Sequence, residues 1–159
     1  MNKYTLLTGA SSGIGYEYAY ILAQNNHNLL IVARSEDKLN QLKEKLIKEY
    51  NIKCLVLALD LSLVDCHKKI RTFVNENNLF INCIINNAGI GYFEYLHKMP
   101  EEKVNQLMYL NMNAPTLISR EFIPDMLDKG EGSIQFIASI AGYLPTPLYS
   151  IYGATKAYL

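Results

Sequence analysis

The stretch Tyr4-Thr5-Leu6-Leu7-Thr8-Gly9-Ala10-Ser11-Ser12-Gly13-Ile14-Gly15-Tyr16 decides the fold. Its first half, Tyr4 to Leu7, is a short β-leaning run. Three glycines then fall within seven residues, and a helical pattern follows in which Tyr16, Ala19, Tyr20 and Ala23 recur at spacings of three and four, to about Gln24. A strand that passes through a glycine loop into a helix makes a cradle for phosphate. Gly9 permits the tight turn, Gly13 lets the backbone approach a phosphate, and Gly15 allows helix and strand to pack closely. The helix N-terminus offers free N–H groups and the positive end of its dipole to a pyrophosphate. The spacing is G-x-x-x-G-x-G rather than the commoner G-x-G-x-x-G, so the fingerprint is inexact.

Outward from the loop, strand and helix patterns alternate. After a turn at Asn25-Asn26-His27-Asn28, Leu29-Leu30-Ile31-Val32-Ala33 is continuously apolar, as a strand buried on both faces must be. Ser35 suits an N-cap, and Leu39, Leu42, Leu46 and Ile47 form one stripe of the next helix. A third strand runs from Lys53 to Leu59 and ends at Asp60-Leu61. Helical periodicity returns through Ile70, Phe73 and Val74. A fourth strand, Ile81 to Ile85, ends at Asn86-Asn87-Ala88-Gly89. A long helix is expected over roughly Glu101 to Leu127, interrupted at Pro115. Lys129-Gly130-Glu131-Gly132 breaks it, and Ser133 to Ala138 reads as a buried fifth strand closed by Ser139. The pattern predicts an α/β fold, a doubly wound parallel sheet with right-handed crossovers and helices on both faces, forming one domain over 1–159. In such sheets the ligand sits at the carboxyl ends of the strands. Here those ends carry Thr8-Gly9, Ala33-Arg34, Asp60, Asn86-Asn87 and Ser139, so the chemically interesting residues share one edge.

The second strand's end tests the ligand. An acid there would bind the ribose 2′-hydroxyl of NAD, but this chain has Ala33 and then Arg34. An arginine suits a 2′-phosphate, which favours NADP(H) over NAD(H), although Asp37 close by tempers the argument.

Thirteen residues after Ser139 stands Tyr152, and then Lys156. Tyr and Lys at i and i+4 lie on one helix face. An ammonium one turn from a phenol favours the phenolate and lowers its pKa, so that Tyr152 can exchange a proton with a substrate oxygen near neutral pH. Ser139 can hydrogen-bond the same oxygen. Surface helices often carry Tyr and Lys four apart without any function, so the pair gains its meaning from what precedes it.

Composition excludes several classes. The chain has 159 residues, half of them apolar and 19% charged, with 15 basic and 15 acidic side chains. A net charge of zero gives no footprint for nucleic acid or an anionic membrane surface. Three cysteines, Cys54, Cys66 and Cys83, show no CxxC spacing and suit a reducing compartment rather than a disulfide framework or a zinc site. His27, His67 and His97 are scattered, so no metal is expected. No apolar run reaches the length of a membrane span, and the N-terminus lacks a secretory signal, which makes the cytoplasm the expected location.

These motifs resemble the short-chain dehydrogenase/reductase family. Thr8-Gly9-Ala10-Ser11-Ser12-Gly13-Ile14-Gly15 is similar to its TGxxxGxG, Asp60 to its adenine-ring aspartate and Asn86-Asn87-Ala88-Gly89 to its NNAG. Ser139 with Tyr152-x-x-x-Lys156 is similar to its Ser and YxxxK. The resemblance implies a Rossmann-like sheet of strand order 3-2-1-4-5. It also implies an NAD(P)-dependent oxidoreductase that acts on a small carbonyl or alcohol substrate. Cofactor contacts fall to Thr8, Gly9, Ser11, Ser12, Gly13, Ile14, Gly15, Arg34, Asp60, Leu61, Asn87, Ala88, Gly89, Tyr152 and Lys156. Tyr152 is the implied proton carrier, Lys156 its pKa partner and ribose ligand, and Ser139 the group that orients the substrate. The family's fourth catalytic residue, an asparagine between apolar neighbours, fits Asn111, with Asn113 as a rival. Pro115 has no N–H to give the Asn111 carbonyl, so a kink there frees that oxygen, which in the family holds a relay water.

Members of the family continue past the point where this chain stops, at Leu159. The sequence is therefore expected to lack the family's last strands, the rest of the tyrosine helix and the substrate loop. The fifth strand becomes a bare edge, and the homo-oligomer surface is incomplete. A dinucleotide-binding module without turnover and an interaction scaffold stand as alternatives to an active reductase.

Overall fold

The computed structural model describes residues 2–159. Five parallel strands form one sheet in the order β3-β2-β1-β4-β5: β1 Asn2–Thr8, β2 Leu29–Ala33, β3 Cys54–Ala58, β4 Leu79–Asn86 and β5 Ser133–Phe136. The order is the expected 3-2-1-4-5. Helices α1 (Gly13–Gln24), α2 (Glu36–Tyr50) and α3 (Cys66–Glu76) make the crossovers between the first four strands. Helices α4 (Glu101–Met108) and α5 (Ala114–Lys129) lead to β5, and α6 (Ser150–Tyr158) ends the chain.

The strands read as unbroken apolar runs because both faces of the sheet are covered. Adjacent residues point to opposite sides, so Leu6, Leu30 and Ile84 join one core while Leu7, Ile31 and Ile85 join the other. The first core is closed by Ile70 and Val74 of α3 with Ile118 and Phe122 of α5. The second is closed by Ala19 and Leu22 of α1 with Leu39, Leu42 and Leu46 of α2. All five residues of β2 are buried, as a central strand requires. Burial pushes the thiol pKa of Cys54 up to about 12 and that of Cys66 to about 11, so both behave as small core residues.

Two expectations are corrected. The fifth strand is four residues long and exposed: only Ile134 is half-buried, and it packs against the first core. Its inner edge pairs with β4 from Cys83↔Ser133 to Asn86↔Phe136, while its outer edge is the rim of the sheet. An apolar run implies burial only where a second neighbour exists to supply it. The long helix breaks before Pro115 rather than at it. Between α4 and α5 lies a single π turn, Tyr109–Asn113, in which the Ala114 N–H donates to the Tyr109 carbonyl. Pro115 occupies the first turn of α5, where a missing N–H is tolerated. The absent donor widens the turn ahead of it instead of bending the helix at the ring.

Candidate functional site

The glycine loop is built by contact as well as by conformation. A Cβ on Gly15 would meet the Gly9 carbonyl oxygen at 2.3 Å and Asn87 Nδ2 at 2.4 Å, which is the close packing expected of it. Gly9 has φ +72° and is equally crowded, with Asn87 Nδ2 at 2.7 Å from its would-be Cβ. Gly13 differs. It also has positive φ, +57°, yet nothing lies within 4 Å of its would-be Cβ, so its backbone faces open space.

Thr8 and Asn87 lock this loop to the end of β4. Thr8 Oγ1 accepts the N–H groups of Asn87 and Ala88, each at 3.0 Å, and Asn87 Nδ2 donates to the carbonyls of Thr8 (3.0 Å) and Gly9 (3.2 Å). The two motifs are therefore one structure, with NNAG holding the glycine turn from beneath.

A cleft of about 450 Å³ opens over this edge. Gly9, Ser11, Ser12, Ile14, Arg34, Asp60, Leu61, Asn87, Ala88 and Gly89 line it, and all belong to the sequence-selected set. Asp60 Oδ1 accepts the N–H and O–H of Ser62 at 2.9 and 2.7 Å. Burial raises the Asp60 pKa, but these two bonds and the nearby Arg34 charge outweigh it and leave the carboxyl below its usual range. Arg34 is exposed, as is Lys38, and both line the same cleft. The sequence reading missed Lys38, along with Ser35, Ile90 and Leu110. Lys38 stands four residues after Arg34, in the first turn of α2, and that spacing was the available signal.

The other end of the edge carries the proton chemistry. Asn111 is fully buried in the π turn, whereas Asn113 is exposed, so the structure brings the first of the two to the site. Asn111 Oδ1 accepts the Ile90 N–H at 3.0 Å, and Nδ2 donates to the Ile90 carbonyl at 2.9 Å and to Thr155 Oγ1 at 3.0 Å. Lys156 is 6% exposed and its Nζ donates to the Ile137 carbonyl at 2.7 Å. That burial lowers its pKa. Nζ lies 5.8 Å from the centre of the Tyr152 ring and 3.4 Å from a would-be Cβ on Gly89. The Tyr152 ring meets Tyr149 at a tilt, centres 5.2 Å apart, and Tyr149 meets Phe93 edge-on at 5.1 Å. Ser139 Oγ accepts the Ala141 N–H at 3.2 Å and caps a short 3₁₀ turn. Among the described residues the Ser139 O–H donates to nothing, which leaves its proton for a ligand. Phe93, Tyr95, Leu96, Ile140, Tyr143 and Leu144, on the loops that follow β4 and β5, are all exposed apolar side chains. A larger groove of about 740 Å³ runs between α5 and the end of α6 and contains none of the motif residues.

A parallel sheet with a phosphate cradle at one end of its loop edge and a Tyr–Lys helix at the other defines a nucleotide-binding oxidoreductase fold. The chain matches the family model described as short chain dehydrogenase over residues 3–159, and it belongs to that family. It is 33% identical over 163 residues to the very-long-chain 3-oxoacyl-CoA reductase of Mus musculus, covering all of this chain and 52% of that protein. Among solved structures, the bulky-bulky ketone specific alcohol dehydrogenase from Comamonas testosteroni is 34% identical with a TM-score of 0.91. It spans 99% of this chain, which covers 63% of it. A short-chain dehydrogenase from Sphingobium yanoikuyae in complex with NADPH has the same identity and TM-score, with 99% of this chain and 61% of that one covered. The chain spans about half the length of the curated relatives it matches. Among the described residues no helix is long and apolar enough to cross a membrane.

Proposed function

We propose that this chain carries the cofactor-binding and proton-transfer residues of an NADP(H)-linked reductase of carbonyl groups. The observation that carries the reading is the joining of two sets of groups along one sheet edge. At one end Arg34 and Lys38 flank a strand end without an acid. At the other stand Asn111, Ser139, Tyr152 and Lys156.

The dinucleotide fits what the residues offer. Gly9, Ser11, Ser12 and Ile14 of the loop line the cleft, and Gly9 and Gly15 leave no side chain in the turn. When bound, the nicotinamide supplies a hydride. The remaining work falls to the protein. Two cations meet a 2′-phosphate, where one would discriminate less strongly against a plain hydroxyl. Asp60, held ionised and fixed by Ser62, accepts hydrogen bonds at the adenosine end. Ser139 donates a hydrogen bond to the substrate carbonyl oxygen, and Tyr152 delivers the one proton to that oxygen as charge develops on it. Lys156 is nearly buried with its Nζ 5.8 Å from the centre of the Tyr152 ring, where water screens its charge little.

The substrate class follows from the rim. Six exposed apolar side chains on the loops that follow β4 and β5 suit a bulky or long-chain ketone, in keeping with the printed names of the relatives. A second reading, a dinucleotide-binding module without turnover, is favoured by the openness of that rim, where Tyr143 is 87% exposed and water has access to Tyr152's surroundings.

Calorimetric titration of NADPH and NADH into the chain tests the cofactor. NADPH is expected to bind at least about tenfold more tightly, and the double variant Arg34→Ala/Lys38→Ala to lose that preference while still binding NADH. Equal affinities in the parent protein would reject the NADP assignment. Consumption of NADPH with a 3-oxoacyl thioester or a bulky ketone separates reductase from binding module.

A further inference from the structure

The Asn111 amide has every polar hydrogen matched, and the matching is directional. Ile90 presents both its N–H and its carbonyl to this one side chain, so Oδ1 must face the N–H and Nδ2 the carbonyl. The second hydrogen on Nδ2 is thereby fixed on Thr155 Oγ1 at 3.0 Å. The Thr155 oxygen accepts there, and its own proton goes to the Tyr152 carbonyl at 2.8 Å. Thr155 is 1% exposed, and a hydroxyl at that depth requires such partners.

Two side chains of α6, Thr155 and Lys156, are buried and tie the helix to the rest of the fold. Lys156 Nζ ties it to the carbonyl of Ile137, just past β5. Thr155 ties it to the π turn. Successive helical residues point about 100° apart, so the two ties constrain different rotations of the helix.

We infer that Thr155 is a positioning residue: its hydroxyl couples the buried Asn111 amide to the main chain of Tyr152 and sets α6 against the π turn. The inference rests on the proposed reading that Asn111, Tyr152 and Lys156 meet the nicotinamide end of the cofactor. A threonine that merely packed would be replaced at no functional cost by valine, which has the same shape. Here valine deprives one Nδ2 hydrogen of its acceptor and the Tyr152 carbonyl of its side-chain donor, and α6 turns about the remaining Lys156 tie.

Two measurements on the full chain test this, using Thr155→Val and Thr155→Ser. The first follows the Asn111 side-chain amide by ¹⁵N NMR, identified by its loss in Asn111→Asp. In the parent protein both amide hydrogens should be protected from exchange. In Thr155→Val one should become labile, and Thr155→Ser should restore it. The second compares affinity for NADPH with affinity for adenosine 2′,5′-bisphosphate, which fills only the adenosine half. Thr155→Val should weaken NADPH by about tenfold, the size of one lost buried hydrogen bond, leave the bisphosphate within about twofold, and be rescued by serine. Parallel weakening of both ligands would mean general loosening and would overturn the assignment, as would an unchanged ratio. If the parent protein binds the bisphosphate but shows no gain from the nicotinamide half, the proposed function fails at that end, and the amide measurement alone decides whether Thr155 ties α6 to the π turn.

Discussion

A methyl group on Gly15 would meet the Gly9 carbonyl oxygen at 2.3 Å, whereas one on Gly13 would meet nothing within 4 Å. The two glycines stand two residues apart in one motif, yet they fail for different reasons when replaced. Gly15→Ala forces two backbone segments apart and should cost about 3 kcal/mol or more, the upper end for overpacking. Gly13→Ala has room, and its cost is the left-handed backbone alone, about 1–2 kcal/mol. Urea unfolding should therefore show a larger fall in midpoint for Gly15→Ala, and equal falls would contradict the contact geometry. Lys156 gives a second prediction at this scale. Its folded pKa lies below the ordinary 10.5 because burial disfavours the charged form. The unfolded chain then binds more protons between the folded pKa and 10.5, so this group's contribution to stability rises with pH across that window. Below the folded pKa the burial penalty is fully present. The difference in unfolding free energy between the parent protein and Lys156→Met should shift in the parent's favour as pH is raised from neutrality towards 10.5. A pH-independent difference would mean that Lys156 is solvated as an ordinary surface lysine.

At the scale of elements, the clearest join is between α3 and α5. Arg71 donates through Nε to Glu121 Oε1 at 3.3 Å, through one terminal nitrogen to Asp125 Oδ2 at 2.5 Å and through the other to the Glu121 carbonyl. Its guanidinium also lies 4.1 Å from the centre of the Phe122 ring. Arg71→Met keeps much of the packing but strands two partly buried carboxylates, and should cost about 2 kcal/mol in urea unfolding. A change under about 0.5 kcal/mol would place this cluster among ordinary surface ion pairs. The elements also show what could be read from the chain beforehand. The parallel sheet and the glycine loop were legible because continuous apolar runs and glycines under steric compulsion admit few alternatives, while the strand order came from the family resemblance of the motifs. The sequence favoured Asn111 through the family's pattern and the proline that follows but kept Asn113 as a rival, and it is burial that separates the two. The π turn was not, because a missing donor at Pro115 says that a bond is lost and not how the chain accommodates the loss. Lys38 was missed for another reason: its place four residues after Arg34 was the one local signal, on a helix that also bears Lys43, Lys45 and Lys48. Thr155 was hidden inside the motif it serves, since its role depends on a partner forty-four residues earlier.

The whole molecule is a sheet well covered on both faces and unequal at its two rims. The β3 rim is packed by α2, while β5 at the other rim is mostly exposed. An unpaired strand edge is a template for another chain. The register shows which groups are available. The Ile137 N–H donates inward to the Asn86 carbonyl, so residue 135 also faces inward, and the N–H groups of Ile134 and Phe136 face out. Phe136 is 37% exposed and offers apolar area beside its outward N–H. A polypeptide of residues 1–159 should therefore associate through β5 as its concentration rises. A proline at 136 removes only an outward donor and leaves the ladder to β4 intact, because strands accept proline at an edge position. Phe136→Pro should hold the parent's affinity for NADPH, since position 136 lies outside the cleft. Its sedimentation coefficient should stay constant with concentration while that of the parent protein rises. A parent coefficient that does not rise would show that the β5 rim does not template association, and a proline variant that still associates would place the contact away from the β5 edge.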